Sequence, residues 1–430
     1  MIKIVYGNSE EGKAYLASLR ERAEQVQGEV IKTVDTILEE IKLSGDEAVL
    51  KYTQKFDSDK VTKENLVVTK EEIEEAYNKV DKEFLEAIKL SKENVLDFHE
   101  RQKRNSWITT KEQGVILGQT IRPLENVGIY VPGGTAAYPS SVIMNAVPAK
   151  AAGVPNVFMT TPPSKDGTIN PNILVAADIA GVNTIYKMGG AQAVGALAFG
   201  TETIQKVDKI VGPGNIFVAL AKKSVYGQVD IDMIAGPSEI LIVADENANP
   251  SFLAADLMSQ AEHDKLASAV LVTTSKELAE KVNVEIEAQI KELSRPEIIK
   301  ASLTDYSAII LVDSIDEAVE MANNIAPEHL ELVVENPFEV LGEIKNAGSV
   351  FLGEYSPEPL GDYIAGPNHV LPTSGTARFF SPLSVDDFIK KSSYIYYPKV
   401  ALAGVKDQIV KIAETEGLTA HANSIKVRFK

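Results

Sequence analysis

The chain has 430 residues, 44% hydrophobic and 24% charged, the make-up of a globular protein too long for one ordinary core. Its formal net charge of −18 counts against nucleic acid and anionic membranes, which need a surplus of Lys and Arg. A small substrate, even a cationic one, stays compatible. With no cysteine, disulfides, thiolate nucleophiles and cysteine-bound zinc are excluded. Any metal must be held by His, Asp, Glu, Gln or Asn.

The opening stretch MIKIVYGNSEEGKAYLASLRERAE soon turns polar, and no apolar run is long enough for a signal peptide or a spanning helix. The cytoplasm is the expected location. Within that stretch Gly7-Asn8-Ser9-Glu10-Glu11-Gly12-Lys13-Ala14 imitates a P-loop. Ala14 stands where Mg²⁺ would need a hydroxyl, and Glu10 and Glu11 would repel phosphate, so it reads as a turn into a helix.

Residues 10–104 are rich in Glu and Lys, with apolar residues at helical spacing. Val34, Ile37, Leu38 and Ile41 form one stripe; Phe84, Ile88 and Leu96 belong to another. Several surface helices are predicted. From 127 to 233 short apolar runs at 127–131, 157–161, 184–187 and 209–211 alternate with helical stretches at 141–152, 171–180 and 216–225. That alternation predicts a parallel, doubly wound sheet. A second series follows, with strands at 240–244, 269–273, 308–312, 330–334 and 349–352 and helices at 251–263, 276–293 and 315–325. Two α/β domains in tandem predict a ligand cleft. Beyond Arg378 the pattern weakens to a helix near 405–416 and a polar tail, 419–430.

Glycine-rich turns follow three predicted strands: Val131-Pro132-Gly133-Gly134, Gly189-Gly190, and Val211-Gly212-Pro213-Gly214-Asn215. They admit a phosphate near backbone N–H groups, but no G-x-G-x-x-G occurs, so by themselves they read as tight turns.

There are five histidines. His99, in the charged run Asp97-Phe98-His99-Glu100-Arg101, reads as a surface residue. Gln260 and His263 are spaced to share one helix face, either for a common ligand or with His263 merely completing the helix end. Glu328 and His329 are neighbours that point in different directions, suited to two proton transfers or to capping a loop. The irregular stretch 359–378 holds Asp362, His369 and Arg378, a chemistry typical of a functional loop. Glu416 and His421 put a carboxylate and an imidazole in the tail. Gln260, His263, Asp362 and His421 together would be an N/O ligand set suited to Zn²⁺, Mn²⁺ or Co²⁺.

The stretches GIYVPGGTAAYPSS, KMGGAQAVGALAFGT, VGPGN, IAGPSEIL, SQAEHD, APEHLEL, GDYIAGPNHVLPTSGTAR and ETEGLTAHANSI occur in that order. In them the chain closely resembles the histidinol dehydrogenase family. The resemblance implies zinc on Gln260, His263, Asp362 and His421, and acid–base work by Glu328 and His329. It implies substrate contacts from Ser238, Gln260, His263, His329, Asp362, His369, Glu416 and His421, and NAD contacts from Tyr130, Gln192 and Asn215.

It further implies oxidation of L-histidinol to L-histidine in two NAD-linked steps, and an α/β fold of two incomplete Rossmann-like, aldehyde-dehydrogenase-like domains. The expected division is a helical arm at 1–25, a metal-bearing domain from 26–129 with 239–381, an NAD domain at 130–238, and a tail at 382–430. That tail is expected to enter the partner's site in a homodimer. A metal-dependent hydrolase and a bilobed binding protein are the competing classes.

Overall fold

Strands buried on both faces must be apolar along their length, because helices cover a parallel sheet from either side. The short apolar runs of this chain satisfy that demand in its computed structural model, which describes residues 2–21, 28–133 and 137–430. Gly134 and the expected boundary at 25–26 lie outside the described residues.

In chain order the strands are β1 (Lys3–Tyr6), β2 (Trp107–Thr110), β3 (Ile116–Pro123), β4 (Asn126–Tyr130), β5 (Asn156–Thr161), β6 (Thr184–Lys187) and β7 (Lys209–Val211). They continue with β8 (Asp230–Ile231), β9 (Glu239–Ala244), β10 (Ser268–Thr273), β11 (Ala308–Leu311), β12 (His329–Val333), β13 (Ser349–Leu352) and β14 (Ile389–Tyr396). The chain divides into two compact units, Met1–Gln102 with Leu124–Phe388 and Lys103–Pro123 with Ile389–Lys430.

The first unit is α/β and contains two parallel sheets. One has six strands in the order β1-β11-β10-β9-β12-β13; the other has five, β6-β5-β4-β7-β8. Every residue of β9, β10, β11 and β12 is buried. In the five-stranded sheet the order reverses between β4 and β7. Ligands of open α/β sheets collect at such a reversal, beyond the C-terminal strand ends. Tyr130 closes β4 there, and the turn Gly212–Asn215 follows β7.

Gly212, at φ 109°, is needed in that turn: a Cβ would collide with the Tyr130 carbonyl. Its N–H donates to Asp232 Oδ2 at 2.7 Å, and its carbonyl accepts from Lys222 Nζ at 2.9 Å. Lys222 and Asp232 are themselves a buried ion pair.

The structure differs from the expected division in three places. Lys3–Tyr6 is no part of a helical arm; it pairs as β1 with β11, with Ile2 and Val5 buried. The helices of 28–100 do not join the six-stranded sheet but cover the five-stranded one. Helix Gly28–Phe56 packs on helices Gly190–Phe199 and Ile216–Val225, and Lys82–Glu100 packs on Pro139–Ala152. The predicted stripe Val34, Ile37, Leu38 and Ile41 makes the first contact, close enough that a Cβ on Gly195 would lie 2.9 Å from Leu38 Cδ2. Finally, the expected tail at 382–430 carries a strand and a second helix besides the predicted helix. In the second unit β14 pairs antiparallel with β3, which pairs with β2, and helices Lys399–Thr415 and Thr419–Lys426 follow.

His99 is also not a surface residue. It is fully buried on helix Lys82–Glu100, with Nδ1 2.7 Å from the Val95 carbonyl. Asn368 Nδ2 lies 3.4 Å from its Nε2, while Ser91 and Asn94 donate to the carbonyls of Tyr363 and Ile364. One helix face therefore braces the loop that carries Asp362 and His369.

Candidate active site

Residue 239, the first of β9, organises Glu328 and His329 through its backbone. Its N–H donates to Glu328 Oε2 at 2.8 Å, and its carbonyl lies 2.9 Å from His329 Nδ1. Ala326, in left-handed backbone at φ 54°, and Pro327 turn the chain so that Glu328 and His329 enter β12 beside β9. The Glu239 carboxylate accepts from Ser374 N at 3.2 Å, which ties the 359–378 loop to the same point.

A carbonyl can only accept, so His329 Nδ1 carries the ring proton and Nε2 keeps its lone pair. That Nε2 is buried, has no hydrogen-bond partner among the described residues, and lies 3.9 Å from both Glu358 Oε1 and Asp362 Oδ1. Burial lowers the His329 pKa, and burial pushes Glu328 well above the carboxylate range. The result is a neutral imidazole base beside a carboxylate that is strongly basic once ionised.

Next to this pair, ligand atoms of His263, Glu358 and Asp362 lie within 4.8 Å of one another. His263 follows helix Pro250–Ala261, and Glu358 and Asp362 sit one turn apart on helix Glu358–Tyr363. Gln260, one turn before His263, is 1% exposed and its Oε1 has no partner among the described residues. His369 Nδ1 is 3.8 Å from Asp362 Oδ1, and burial brings its pKa down to about 4.

Behind them Glu331, two residues from His329 on the same sheet face, accepts from Glu358 N at 2.8 Å. Burial first, and then neighbouring carboxylates, raise Asp256 and Glu358 to about 7; burial raises Asp362 to about 6. Crowded carboxylates, an imidazole and an orphaned amide oxygen are the donor set of a divalent cation. The residues present fit a zinc ion.

These shifts set a pH dependence of stability. Unfolded carboxylates ionise near pH 4, whereas Asp256 and Glu358 keep their protons up to about 7. The folded chain therefore binds more protons than the unfolded one, and stability falls as pH rises through those values. The lowered His329 and His369 work in the opposite sense, but only below about pH 6.5. Metal-free protein is expected to melt several degrees lower at pH 8 than at pH 6.5, and saturating zinc is expected to remove that loss. A flat melting profile without metal would show the carboxylates to be ionised throughout.

A second set gathers elsewhere in the first unit. Tyr130, Gln192 and Asn215 line one cavity of about 620 Å³, together with Asp57, Pro132 and Phe217. Gly190 N donates to Tyr130 Oη at 3.1 Å, leaving the phenolic proton free to donate. Asn215 Oδ1 caps helix Ile216–Val225 by accepting from the N–H groups of Phe217 and Val218. Its amide NH₂ makes no hydrogen bond among the described residues. Two helix N-termini thus open on a cavity of cofactor size.

Ser238 directly precedes β9, with its carbonyl accepting from Ser268 N. Glu416 caps helix Lys399–Thr415 and His421 lies on helix Thr419–Lys426; both are exposed, and both belong to the second unit. Of the expected ligands, the first unit thus brings His263 and Asp362 together, with Gln260 one helical turn away.

A family model described as histidinol dehydrogenase matches residues 20–429. The chain belongs to the histidinol dehydrogenase family. It is 66% identical over 430 residues to the histidinol dehydrogenase of Clostridium acetobutylicum, covering 100% of this chain and 99% of that one. It is 56% identical over 429 residues to that of Bacillus cereus, covering 100% and 99%. The crystal structure of histidinol dehydrogenase from Elizabethkingia anophelis superposes with a TM-score of 0.93 at 41% identity, covering 99% of this chain and 98% of that one. Membership of this family makes the chain an oxidoreductase.

The motif reading missed Glu358, Glu239 and Asp57. Glu358 precedes Asp362 by one helical turn, a spacing visible in EPLGD. Glu239 acts largely through its backbone, and Asp57 stands in a run of polar residues, so neither carries a local signal.

Proposed function

We propose that the chain oxidises L-histidinol through L-histidinal to L-histidine, completing histidine biosynthesis in the cytoplasm with NAD and one zinc ion per subunit. The observation that carries this reading is the free Nε2 of His329, 3.9 Å from two carboxylates of the His263–Glu358–Asp362 cluster. Gln260, His263 and Asp362 would hold the zinc, with His421 as a further ligand and Glu358 facing it from the body of the chain. Bound zinc would template the imidazole and amine of the substrate, and bound NAD would take hydride from the carbinol carbon in each oxidation.

His329 Nε2 takes the hydroxyl proton of the alcohol, while the Glu239 carbonyl stabilises the imidazolium through Nδ1–H. Glu328, held by the Glu239 N–H, removes a proton from water as it adds to the aldehyde. The protonated His329 returns its proton to the carbonyl oxygen as the water adds and, neutral again, accepts the hydroxyl proton of the hydrate in the second oxidation. Ser238, His369 and Glu416 orient the substrate, and Tyr130, Gln192 and Asn215 hold the dinucleotide in the 620 Å³ cavity.

A homodimer belongs to the same reading. The second unit exposes Trp107, Ile108, Ile395, Tyr396, Val400 and Ile412, each more than half accessible. So much apolar surface on so small a unit supports a second copy as its cover.

Purified protein with histidinol and NAD should yield two NADH per histidine, followed by absorbance and chromatography. His263→Ala is expected to lose stoichiometric zinc on dialysis and most activity with it, and chelation of the parent protein should be reversed by added zinc. Full zinc content in His263→Ala would remove that residue from the ligand set. Product formation without NADH would point to the hydrolase instead.

A further inference from the structure

Asp57 directly follows helix Gly28–Phe56, in an N-terminal segment without a catalytic motif, and it lines the 620 Å³ cavity. Its Oδ2 accepts from Gly189 N at 3.1 Å and Gln192 Nε2 at 3.3 Å. Its Oδ1 takes no hydrogen bond from the described residues. The nearby cation does not neutralise it by contact: Lys165 Nζ donates to the backbone carbonyls of Asp57 at 2.8 Å and Phe56 at 3.5 Å. A largely buried carboxylate with one open oxygen gains from neutral O–H donors and rejects further negative charge.

The neighbouring walls indicate which donors. Phe56 and Phe217 are 46% and 37% exposed and line the same cavity, with Pro132 and Pro162. Flat apolar surfaces of this kind receive a purine ring. A purine seated against Phe56 would put its sugar within reach of the neighbouring Asp57. We propose that Asp57 accepts hydrogen bonds from the adenosine ribose hydroxyls and thereby selects NAD over its 2′-phosphorylated counterpart, NADP. This assignment rests on the NAD reading above and names the group that reads the ribose. The N-terminal helices then have a function besides packing: they deliver the carboxylate to the cofactor cavity. A 2′-phosphate would meet Asp57 as a like charge, whereas two hydroxyls offer it protons.

The test measures NAD and NADP binding by calorimetry to the full-length parent chain and to Asp57→Asn. Asparagine keeps the size and leaves an oxygen for the Gly189 N–H, but removes the charge. The parent is expected to prefer NAD, and Asp57→Asn should shift the NAD/NADP affinity ratio toward NADP by at least about tenfold. Asp57→Ala, which also loses the bond to Gly189, should shift the ratio in the same direction while weakening both nucleotides. A merely structural role would weaken both alike; an unchanged ratio in both variants overturns the proposal while leaving the NAD reading intact. A parent chain that binds NADP as tightly as NAD overturns it too. A parent chain that binds neither nucleotide overturns the cofactor reading and this assignment together.

Discussion

Glu328→Gln is expected to slow oxidation of the aldehyde by roughly 10²–10⁴-fold while leaving oxidation of the alcohol within about tenfold of the parent. Glutamine preserves the oxygen that accepts from Glu239 N at 2.8 Å, so the loop geometry should persist. What is lost is a base, and only the aldehyde step needs an activated water. His329→Asn should impair both steps by a similar factor, because each removes an oxygen-bound proton at the position served by Nε2. Single-turnover rates with histidinol and with histidinal separate the two.

The pH dependence of each step adds a second readout. Burial lowers His329, so its acid limb should lie below the ordinary imidazole value; burial raises Glu328, so the aldehyde step should lose rate at a higher pH than the alcohol step. Equal damage to both half-reactions by Glu328→Gln, or coincident acid limbs, would overturn this division of labour.

The parallel strands were legible because burial on both faces leaves little room for polar residues: EILIVA, SAVLVT and AIIL read as strands on composition alone. The spacing of Gln260 and His263 suggested a shared helix face, but His263 lies just past the end of helix Pro250–Ala261. Other features were hidden by distance in the chain. Glu239 touches Glu328 and His329 across about ninety residues, and Asp57 reaches Gln192 across 135. His99 is a different case. Asp97 and Arg101 pair on the exposed side and gave the segment its charged look. Ile88, Val95 and His99, however, share one buried face at spacings of seven and four. That periodicity carried the signal, and the charge of its neighbours obscured it.

The sheet to which the N-terminal helices attach was not legible either. An amphipathic stripe states that a face is buried but does not name its partner. The close approach at Gly195 settles it, and one glycine in KMGGAQAVGALAFGT does not announce itself as a contact.

Mixing two inactive variants, His421→Ala and His329→Ala, should restore activity to roughly a quarter of all sites once subunits exchange at random. The second unit is too small for an extensive core of its own, yet it carries His421 and Glu416, both exposed on its helical end. It also exposes apolar residues on its three-stranded sheet, with Ile108 63% and Ile395 74% accessible. A two-fold dimer answers both facts: it covers exposed apolar side chains, and it lets each tail serve its partner's site. In a mixed dimer, one site then combines the intact His329 of the first chain with the intact His421 of the second. The other site carries both defects. Half of the dimers are mixed at equal input and each holds one sound site of two, which gives the quarter. If the tail serves its own chain, every site retains one defect and the mixture stays inactive. Mass spectrometry of differently tagged subunits establishes whether exchange has occurred. Confirmed exchange without recovered activity would therefore assign His421 to the site of its own chain and end the shared-site proposal.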